Sequence, residues 1–325
     1  MLSDYISCMK KKFLVIFIMF FFIAAESSAA LISFDLSKND CFNDKPGDYL
    51  RFMFHDFRIR SYRIHIPDSY NGKEPVSLMI ALHGGGGRSK TMLSKTNINE
   101  KSDEKGFIAV YPNGICRLLP LRTWNVGFCC GLALEKDIDD VGFIEKLLGK
   151  LQLQFNIDPS KIFVTGHSNG GMLAYRLGSE LSDIIAAIAP VAGTIGGYAT
   201  EDSELWVIPE PKYPVSVLAV HGRFDESVPY EGGRGNNTGG TRSYLSVNES
   251  ILFWIDYNEC NPDPITNISG NITTDTYLNG NQGTEVVLCT VGNGGHSWPG
   301  SKQDPYQELS ATDLIWEFFE NHPKQ

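Results

Sequence analysis

The sequence has few basic residues and lacks the common nucleotide-binding and zinc-binding signatures. It contains 28 lysines and arginines against 38 aspartates and glutamates, which gives a formal net charge of −10. A nucleic-acid-binding protein needs a basic face for the phosphate backbone, so this balance argues against such a partner. The motifs G-x-x-x-x-G-K-[ST], G-x-G-x-x-G and H-E-x-x-H are absent. We therefore expect no nucleotide cofactor and no catalytic metal.

Internal repeats and Ser/Thr/Pro linkers are also missing from the chain. The 325 residues are 42% hydrophobic, which excludes a wholly disordered protein. The 32 glycines show no period of three, which excludes a collagen-like one. We expect residues 31–325 to form a single domain.

The N-terminus resembles an export signal. Lys10–Lys12 precede an apolar stretch from Phe13 to Ala25, and small residues follow up to Ala30. This order is typical of a signal peptide, and 13 apolar residues are short of the ~20 that span a membrane. We predict a signal peptide over residues 1–30, starting at Met1 or Met9, and a secreted or periplasmic protein without a stable membrane span. An uncleaved anchor is the alternative.

Removal of that segment leaves an even number of cysteines, which allows three disulfides in an exported protein. The six are Cys41, Cys116, Cys129, Cys130, Cys260 and Cys289. We expect Cys260 to pair with Cys289, and Cys116 with Cys129 or Cys130. No Cys-x-x-Cys spacing supports a metal site instead.

Apolar runs alternate with helical patterns along the chain. The runs begin at Tyr62, Ser77, Phe107, Ile162, Ile184, Val215 and Glu285. Helical spacing appears over 141–151, 173–181, 251–257 and 314–319. Alternation of this kind predicts an α/β fold with a mostly parallel central sheet and helices on both faces. In such sheets ligands bind beyond the carboxyl ends of the strands, so the chemistry is expected there.

The segment Gly166–Gly171 has the pattern G-x-S-x-G between a predicted strand and a predicted helix. Glycine on both sides of Ser168 allows the tight turn that lifts a serine Oγ above the sheet. An earlier strand ends at Leu82 and runs into His83–Gly87. We expect an oxyanion hole made by the N–H groups of Gly85 and Asn169. A plain flexible turn is the alternative reading of these glycines.

A nucleophilic serine needs an imidazole, and in this strand–turn–helix setting an acid and then a histidine follow it in the chain. His296 lies in a loop just past the last predicted strand. His221 is expected to support a turn, and His322 to be solvated. Asp225 follows the strand that ends at Val220, with Glu226 as the reserve. We therefore predict Ser168, Asp225 and His296 as the catalytic residues.

Two further features bear on the site. Trp124 and Trp298 are predicted to line a pocket for a sugar or an aryl group. Asp139 and Asp140 could suggest a metal, but acidic residues at a helix start also suit the helix dipole, and we favour that interpretation.

Taken together, several segments resemble one family, the secreted esterases that group polyhydroxybutyrate depolymerases with feruloyl and acetylxylan esterases. The matching segments are 83–87, 124–131, 139–143, 166–172, 189–194, 221–230 and 295–300. The resemblance implies an α/β-hydrolase fold, ester hydrolysis without a cofactor, and Ser168, Asp225 and His296 as the triad.

The resemblance leaves the substrate open. Depolymerases of solid polyester often carry a linker and a binding domain, and this sequence shows neither. We therefore expect soluble substrates: feruloyl or acetyl esters of polysaccharide fragments, or short hydroxyalkanoate oligomers. Polymer depolymerisation, and acyl transfer or peptide hydrolysis on the same fold, are the alternatives. A catalytically dead binding module would not need the ordered serine, acid and histidine.

Overall fold

The computed structural model describes residues 44–116, 121–236, 241–302, 304 and 307–325. The predicted signal peptide and Cys41 lie outside these residues. Lys45–Gln325 form one compact unit. Within the described ranges, no helix combines the length and the apolar character needed to cross a bilayer.

The described elements comprise sixteen strands, seven α-helices and a short 3₁₀ turn at Asn281–Gly283. The strands are β1 (Gly47–His55), β2 (Arg58–Ile66), β3 (Val76–Leu82), β4 (Ile108–Pro112), β5 (Ile115–Cys116), β6 (Arg122–Thr123), β7 (Ile157–His167), β8 (Ala187–Val191), β9 (Gly196–Tyr198), β10 (Trp206–Val207), β11 (Ser216–Gly222), β12 (Gly233–Arg234), β13 (Ser243–Tyr244), β14 (Ile265–Ser269), β15 (Ile272–Tyr277) and β16 (Val286–Val291). The helices are α1 (Ser89–Thr96), α2 (Ile98–Lys105), α3 (Gly131–Glu135), α4 (Asp140–Gln154), α5 (Asn169–Glu180), α6 (Val247–Asn258) and α7 (Ala311–Asn321).

Ten strands form the main sheet in the order β1-β2-β4-β3-β7-β8-β11-β16-β15-β14. The six central strands, β4 to β16, run parallel, and the two outer strands on each side are antiparallel. The carboxyl ends of the parallel strands are in register: Leu82 pairs with Gly166, His167 with Val191, and Gly222 with Val291. The loops that follow β3, β7, β11 and β16 therefore start at one edge of the sheet.

Each face of the sheet is covered by helices. On β3, Leu78, Ile80 and Leu82 pack into one core with the apolar faces of α4, α5 and α6. Met79 and Ala81 point to the other side and pack with α1, α2 and α7. A strand buried on both faces needs an unbroken apolar run, which is why β3, β7 and β11 could be recognised in the sequence.

Of the outer strands, β2 was predicted from the run that begins at Tyr62, whereas β1, β14 and β15 were not, because they lack such a run. All five residues of β14 are exposed and β15 is only partly buried, so their composition carries little hydrophobic signal. Asp158–Ser160, whose Asp-Pro-Ser sequence is typical of a turn, also lie within β7 instead.

The disulfide pairing predicted from the sequence is wrong. The sulfur atoms of Cys129 and Cys130, which are neighbours in the chain, lie in contact, and among the described residues Cys116, Cys260 and Cys289 form no disulfide. Cys260 belongs to the core under α4–α6, and Cys289 belongs to the core under α7. The sheet therefore separates the two thiols that sequence spacing had suggested as partners. Burial raises the pKa of each of these two thiols to about 11.

Candidate active site

Ser168 lies at a sharp turn between the end of β7 and the start of α5. Its backbone φ is 57° and its ψ is −123°, a conformation that non-glycine residues adopt rarely. The turn is held by a hydrogen bond from the Ser168 N–H to the Val191 carbonyl on the neighbouring strand (2.8 Å). A Cβ at Gly166 would overlap the Gly170 carbonyl, and one at Gly170 would overlap the Leu82 carbonyl. The flanking glycines are therefore required by close backbone approach, as the sequence pattern predicted.

The loop after β3 presents a fixed peptide beside this turn. The Gly84 carbonyl accepts hydrogen bonds from His83 Nδ1 (2.8 Å) and from the Gly87 N–H (2.9 Å). In a trans peptide the carbonyl and the next N–H point in opposite directions. The Gly85 N–H is therefore directed away from these two partners. A Cβ on Gly85 would lie 3.7 Å from the Cβ of Asn169, so the two predicted oxyanion residues are neighbours.

His83 can hold this peptide because its protonation state is fixed. Its Nε2 accepts a hydrogen bond from the Gly114 N–H (3.0 Å), which leaves the proton on Nδ1. Burial lowers the pKa of His83 to about 4, so the ring is neutral near pH 7. His83 belongs to the glycine-rich loop recognised in the sequence, but the loop's pattern did not predict a role for its side chain.

Trp124 joins the two oxyanion segments instead of lining a pocket. It is completely buried. Its N–H donates to Asn169 Oδ1 (2.8 Å), its carbonyl accepts from Asn169 Nδ2 (3.1 Å), and its indole Nε1 donates to the His83 carbonyl (2.8 Å). The prediction that Trp124 contacts substrate is therefore corrected: burial removes it from the cavity and makes it a brace behind the site.

A buried ion pair supports this brace. Arg60 Nη2 lies 2.6 Å from Asp140 Oδ1, and Asp140 Oδ2 accepts the N–H of Asn125, next to Trp124 (2.8 Å). Asp139 caps α4 by accepting the Gly142 N–H (2.8 Å). The interpretation of Asp139 as a helix-start residue is therefore confirmed. Within the described residues, no cluster of His, Cys, Asp and Glu could hold a metal ion.

Asp225 and His296 meet as the sequence predicted. His296 Nδ1 lies 2.7 Å from Asp225 Oδ2. The other carboxylate oxygen accepts the N–H groups of Ser227 and Val228, both at 2.8 Å. Burial opposes ionisation of Asp225, but hydrogen bonds from His221 and His296 outweigh it and hold the pKa of this carboxyl well below its usual range. Asp225 is therefore a buried, ionised acceptor for the His296 ring.

Backbone contacts fix the loops that carry this pair. The Arg223 N–H donates to the Val291 carbonyl (2.9 Å), and the Phe224 N–H donates to the Gly294 carbonyl (2.8 Å). A Cβ on Gly222 would come within 2.5 Å of the Gly294 carbonyl, so glycine is required there. The acid loop and the histidine loop thus form one unit, although 71 residues separate Asp225 from His296.

The remaining candidates for the acid and the base have other contacts. His221 is buried and its Nε2 donates to the Val228 carbonyl (2.8 Å), which confirms that it supports the turn. His322 interacts with Glu285 (3.2 Å) and the Phe318 carbonyl (2.6 Å). Glu226 is exposed, whereas Asp225 is buried.

Ser168 and His296 line the same cavity, which has a volume of about 480 Å³. No hydrogen bond joins Ser168 Oγ to the His296 ring among these described atoms, and such bonds often tighten only when substrate is bound. Trp298 also lines this cavity, with its indole Nε1 bound to Thr312 Oγ1 (3.1 Å). The structure therefore brings Trp298 to the site and leaves Trp124 behind it. Residues of α1, which sequence periodicity did not reveal, form another wall.

His167 packs against His296, the predicted catalytic base. The ring centroids of His167 and His296 are 4.9 Å apart. Burial, followed by the charges of His296 and Lys95, lowers the pKa of His167 to about 3. The His167 ring is therefore neutral near pH 7 and places no positive charge beside His296.

The two buried histidines predict how stability depends on pH. His83 and His167 have folded-state pKa values of about 4 and about 3, both below the reference value of 6.5. The unfolded chain therefore binds more protons as the pH falls below 6.5, and stability falls with it. We expect His167→Phe to reduce the loss of unfolding free energy between pH 7.5 and pH 5 by roughly 2 kcal/mol. Urea unfolding at both pH values measures this, and an unchanged difference would contradict it.

The known proteins that are similar to this chain in sequence are esterases. No protein-family model matches the chain. A feruloyl esterase B from Piromyces equi is 27% identical over 239 residues, which are 73% of this chain and 42% of that relative. A probable feruloyl esterase C from Aspergillus niger is 24% identical over 274 residues, 82% of this chain and 85% of the relative. The chain thus spans less than half the length of the first of these relatives.

The fold has close counterparts among solved structures. An acetyl xylan esterase from Aspergillus awamori superimposes with a TM-score of 0.56 at 14% identity, over 84% of this chain and 99% of that one. The sheet topology and this likeness define an α/β-hydrolase fold, which confirms the predicted fold class. The sequence relatives bear out the resemblance: the chain is similar to feruloyl esterases and, at 31% identity over 39% of its length, to an acetylxylan esterase from Coprinopsis cinerea.

Proposed function

We propose that this protein hydrolyses carboxylic esters through Ser168, His296 and Asp225. The observation that carries the proposal is the Asp225–His296 contact of 2.7 Å beside a strained serine that lines the same cavity. Asp225 accepts the proton on Nδ1, so the other ring nitrogen, Nε2, is the basic one. That tautomer is the one a serine nucleophile requires.

The reaction proceeds in two halves. Ser168 Oγ attacks the ester carbonyl carbon while His296 Nε2 takes the hydroxyl proton, and the protonated His296 then donates that proton to the departing alcohol oxygen. Water next attacks the acyl-enzyme, His296 removes its proton, and the acid leaves as Ser168 recovers its hydrogen. Asp225 orients His296 throughout and stabilises the imidazolium.

The N–H groups of Gly85 and Asn169 stabilise the negative charge on the carbonyl oxygen. Asn169 is the first residue of α5, so its N–H has no acceptor within the helix and lies at the positive end of the helix dipole. The Gly85 N–H is oriented by the two hydrogen bonds on the Gly84 carbonyl. Donors fixed before the reaction cost no reorganisation when charge develops.

The relatives suggest feruloyl or acetyl esters of polysaccharide fragments as substrates. A cavity of about 480 Å³ falls within the roughly 300–1,000 Å³ that is usual for small-molecule sites. Hydrolysis of methyl ferulate, acetylated xylan and hydroxybutyrate oligomers, with no acyl acceptor added, tests this. Failure on all three would remove the substrate class, and activity only with an added acceptor would identify an acyltransferase.

The predicted signal peptide makes this an exported enzyme. Its basic and apolar N-terminal segment supports this proposal. N-terminal sequencing of protein collected outside the cytoplasm tests it, and a chain that retains residues 1–30 would contradict cleavage.

The brace formed by Asn169 can be tested apart from the oxyanion hole itself. Asn169→Ala keeps the backbone N–H but removes both hydrogen bonds to Trp124, leaving the buried Trp124 N–H unpaired. We expect kcat to fall about tenfold with little change in KM, and stability to fall by about 1–3 kcal/mol. Steady-state kinetics and thermal unfolding measure both. Unchanged kcat would show that the side chain does not position the turn.

A further inference from the structure

The wall of the cavity contributed by α1 carries a single charged group. Lys95 is the one charged side chain among the described residues that line the cavity with Ser168 and His296. It is exposed, and no ion pair or hydrogen bond of its ammonium group is formed with the described parts of the chain. Lys95 takes no part in the proposed ester hydrolysis.

The described residues that line the cavity with Lys95 include no carboxylate. Thr91, Thr96, Ser297 and Ser301 are among them. Asp304, which contacts Ser297, is buried and accepts hydrogen bonds from Ser297 Oγ (3.3 Å) and the Gly300 N–H (2.9 Å). Asp225 is buried and its oxygens are engaged by His296, Ser227 and Val228. An anionic ligand in the cavity therefore meets one cation and hydroxyl donors.

The positive charge of Lys95 acts on a histidine of the site. It is one of the causes that lower the pKa of His167, whose ring packs on His296. The protein as a whole carries a formal charge of −10, which disfavours anionic ligands at long range. A substrate with a carboxylate would consequently need a local cation, and Lys95 supplies one in the same cavity as Ser168.

We propose that Lys95 binds a carboxylate carried by the ester substrate, so that the enzyme prefers acidic esters to neutral esters of the same size. The inference rests on the proposed esterase function and deepens it by naming the substrate class. The carboxylate can belong to the acyl group, as in a half-ester of a dicarboxylic acid, or to the alcohol, as in an esterified hydroxy acid or uronic acid. Both present the same group to the ammonium.

The kinetic test compares matched esters on wild type and Lys95→Met, which keeps the length of the side chain and removes its charge. On the acyl side the pair is 4-nitrophenyl hemiglutarate and 4-nitrophenyl valerate. On the alcohol side it is 4-acetoxybenzoate and 4-acetoxyacetophenone. We expect kcat/KM of the acidic ester in at least one pair to fall about fivefold to tenfold, through KM, while the neutral ester stays within twofold. The pair that responds identifies which side carries the carboxylate.

Two controls make the result specific. Lys90→Met removes an exposed lysine from the same helix, outside the cavity lining, and is expected to leave both esters of each pair unchanged. Raising the salt concentration should reduce the acidic preference of wild type and not that of Lys95→Met. An equal effect of Lys95→Met on acidic and neutral esters, or no effect on any, would overturn the proposal.

A binding experiment separates this inference from the catalytic one. In the Ser168→Ala background, binding of 4-acetoxybenzoate is measured by calorimetry with and without Lys95→Met. We expect the dissociation constant to rise about fivefold to tenfold on loss of the lysine. Equal binding would overturn the role of Lys95 even where hydrolysis by wild type is established. Weaker binding together with an inactive wild type would instead overturn the esterase proposal.

Discussion

Ser168→Ala is expected to reduce kcat/KM for 4-nitrophenyl acetate by a factor on the order of 10⁴ or more, because no other group in the cavity replaces the nucleophile. The fold should be retained. Ser168 already adopts a φ of 57°, so alanine inherits the backbone strain and adds none. Hydrolysis of the nitrophenyl ester and a thermal unfolding curve on the same sample measure both quantities.

The matched control for this change is Ser94→Ala. Ser94 is an exposed serine on α1 whose hydroxyl donates only to the Thr91 carbonyl within the same helix (3.2 Å). We expect its activity to stay within twofold of wild type. A Ser168→Ala variant that keeps more than a tenth of the wild-type activity while folding normally would remove Ser168 as the nucleophile.

The part of the site that the sequence predicts is the part that depends on local backbone chemistry. Gly166 and Gly170 are required because neighbouring carbonyls would clash with a Cβ. Both glycines lie within the six consecutive residues of the motif, so the requirement is visible in the local sequence. Ser168, Asp225 and His296 could each be located because each follows an apolar run that had to be a buried parallel strand. The strand register then brings their loops to one edge.

The parts that sequence could not predict depend on contacts between distant segments. Trp124 has the composition of a sugar-binding residue, yet it is buried because Asn169 and His83 take all of its polar groups. Lys95 lies on a polar eight-residue helix with no hydrophobic periodicity, so nothing in the sequence placed it at the cavity. The pairing of cysteines failed for the same reason, since spacing does not reveal on which face of the sheet a thiol lies.

Asp225→Asn is expected to lower kcat by a factor on the order of 10³–10⁴, because an amide cannot hold His296 in the tautomer that leaves Nε2 basic. The neutral amide also loses the charge that stabilises the imidazolium. The Asp225 carboxylate is an acceptor at every contact it makes: His296 Nδ1 and His221 Nε2 on one oxygen, and two backbone N–H groups on the other. An asparagine NH₂ placed toward either side would face a donor.

Glu226→Gln is the matched control, since it makes the same chemical change one residue later at an exposed position. We expect its kcat to stay within twofold of wild type.

The two variants also separate catalysis from stability. Asp225→Asn should lower the unfolding free energy by about 1–3 kcal/mol near pH 7. The buried Asp225 carboxylate accepts a hydrogen bond from each of its donors, whereas an asparagine side chain can accept from fewer of them. The depressed pKa of Asp225 means that wild type loses this contribution progressively as the pH falls from the ordinary pKa of a carboxyl, where the unfolded chain takes up its proton, towards the lowered pKa of the folded state. The two proteins should therefore converge in stability in strong acid. If Glu226→Gln were the damaging change and Asp225→Asn the mild one, the acid of the triad would be Glu226, and the 2.7 Å contact with His296 would be structural.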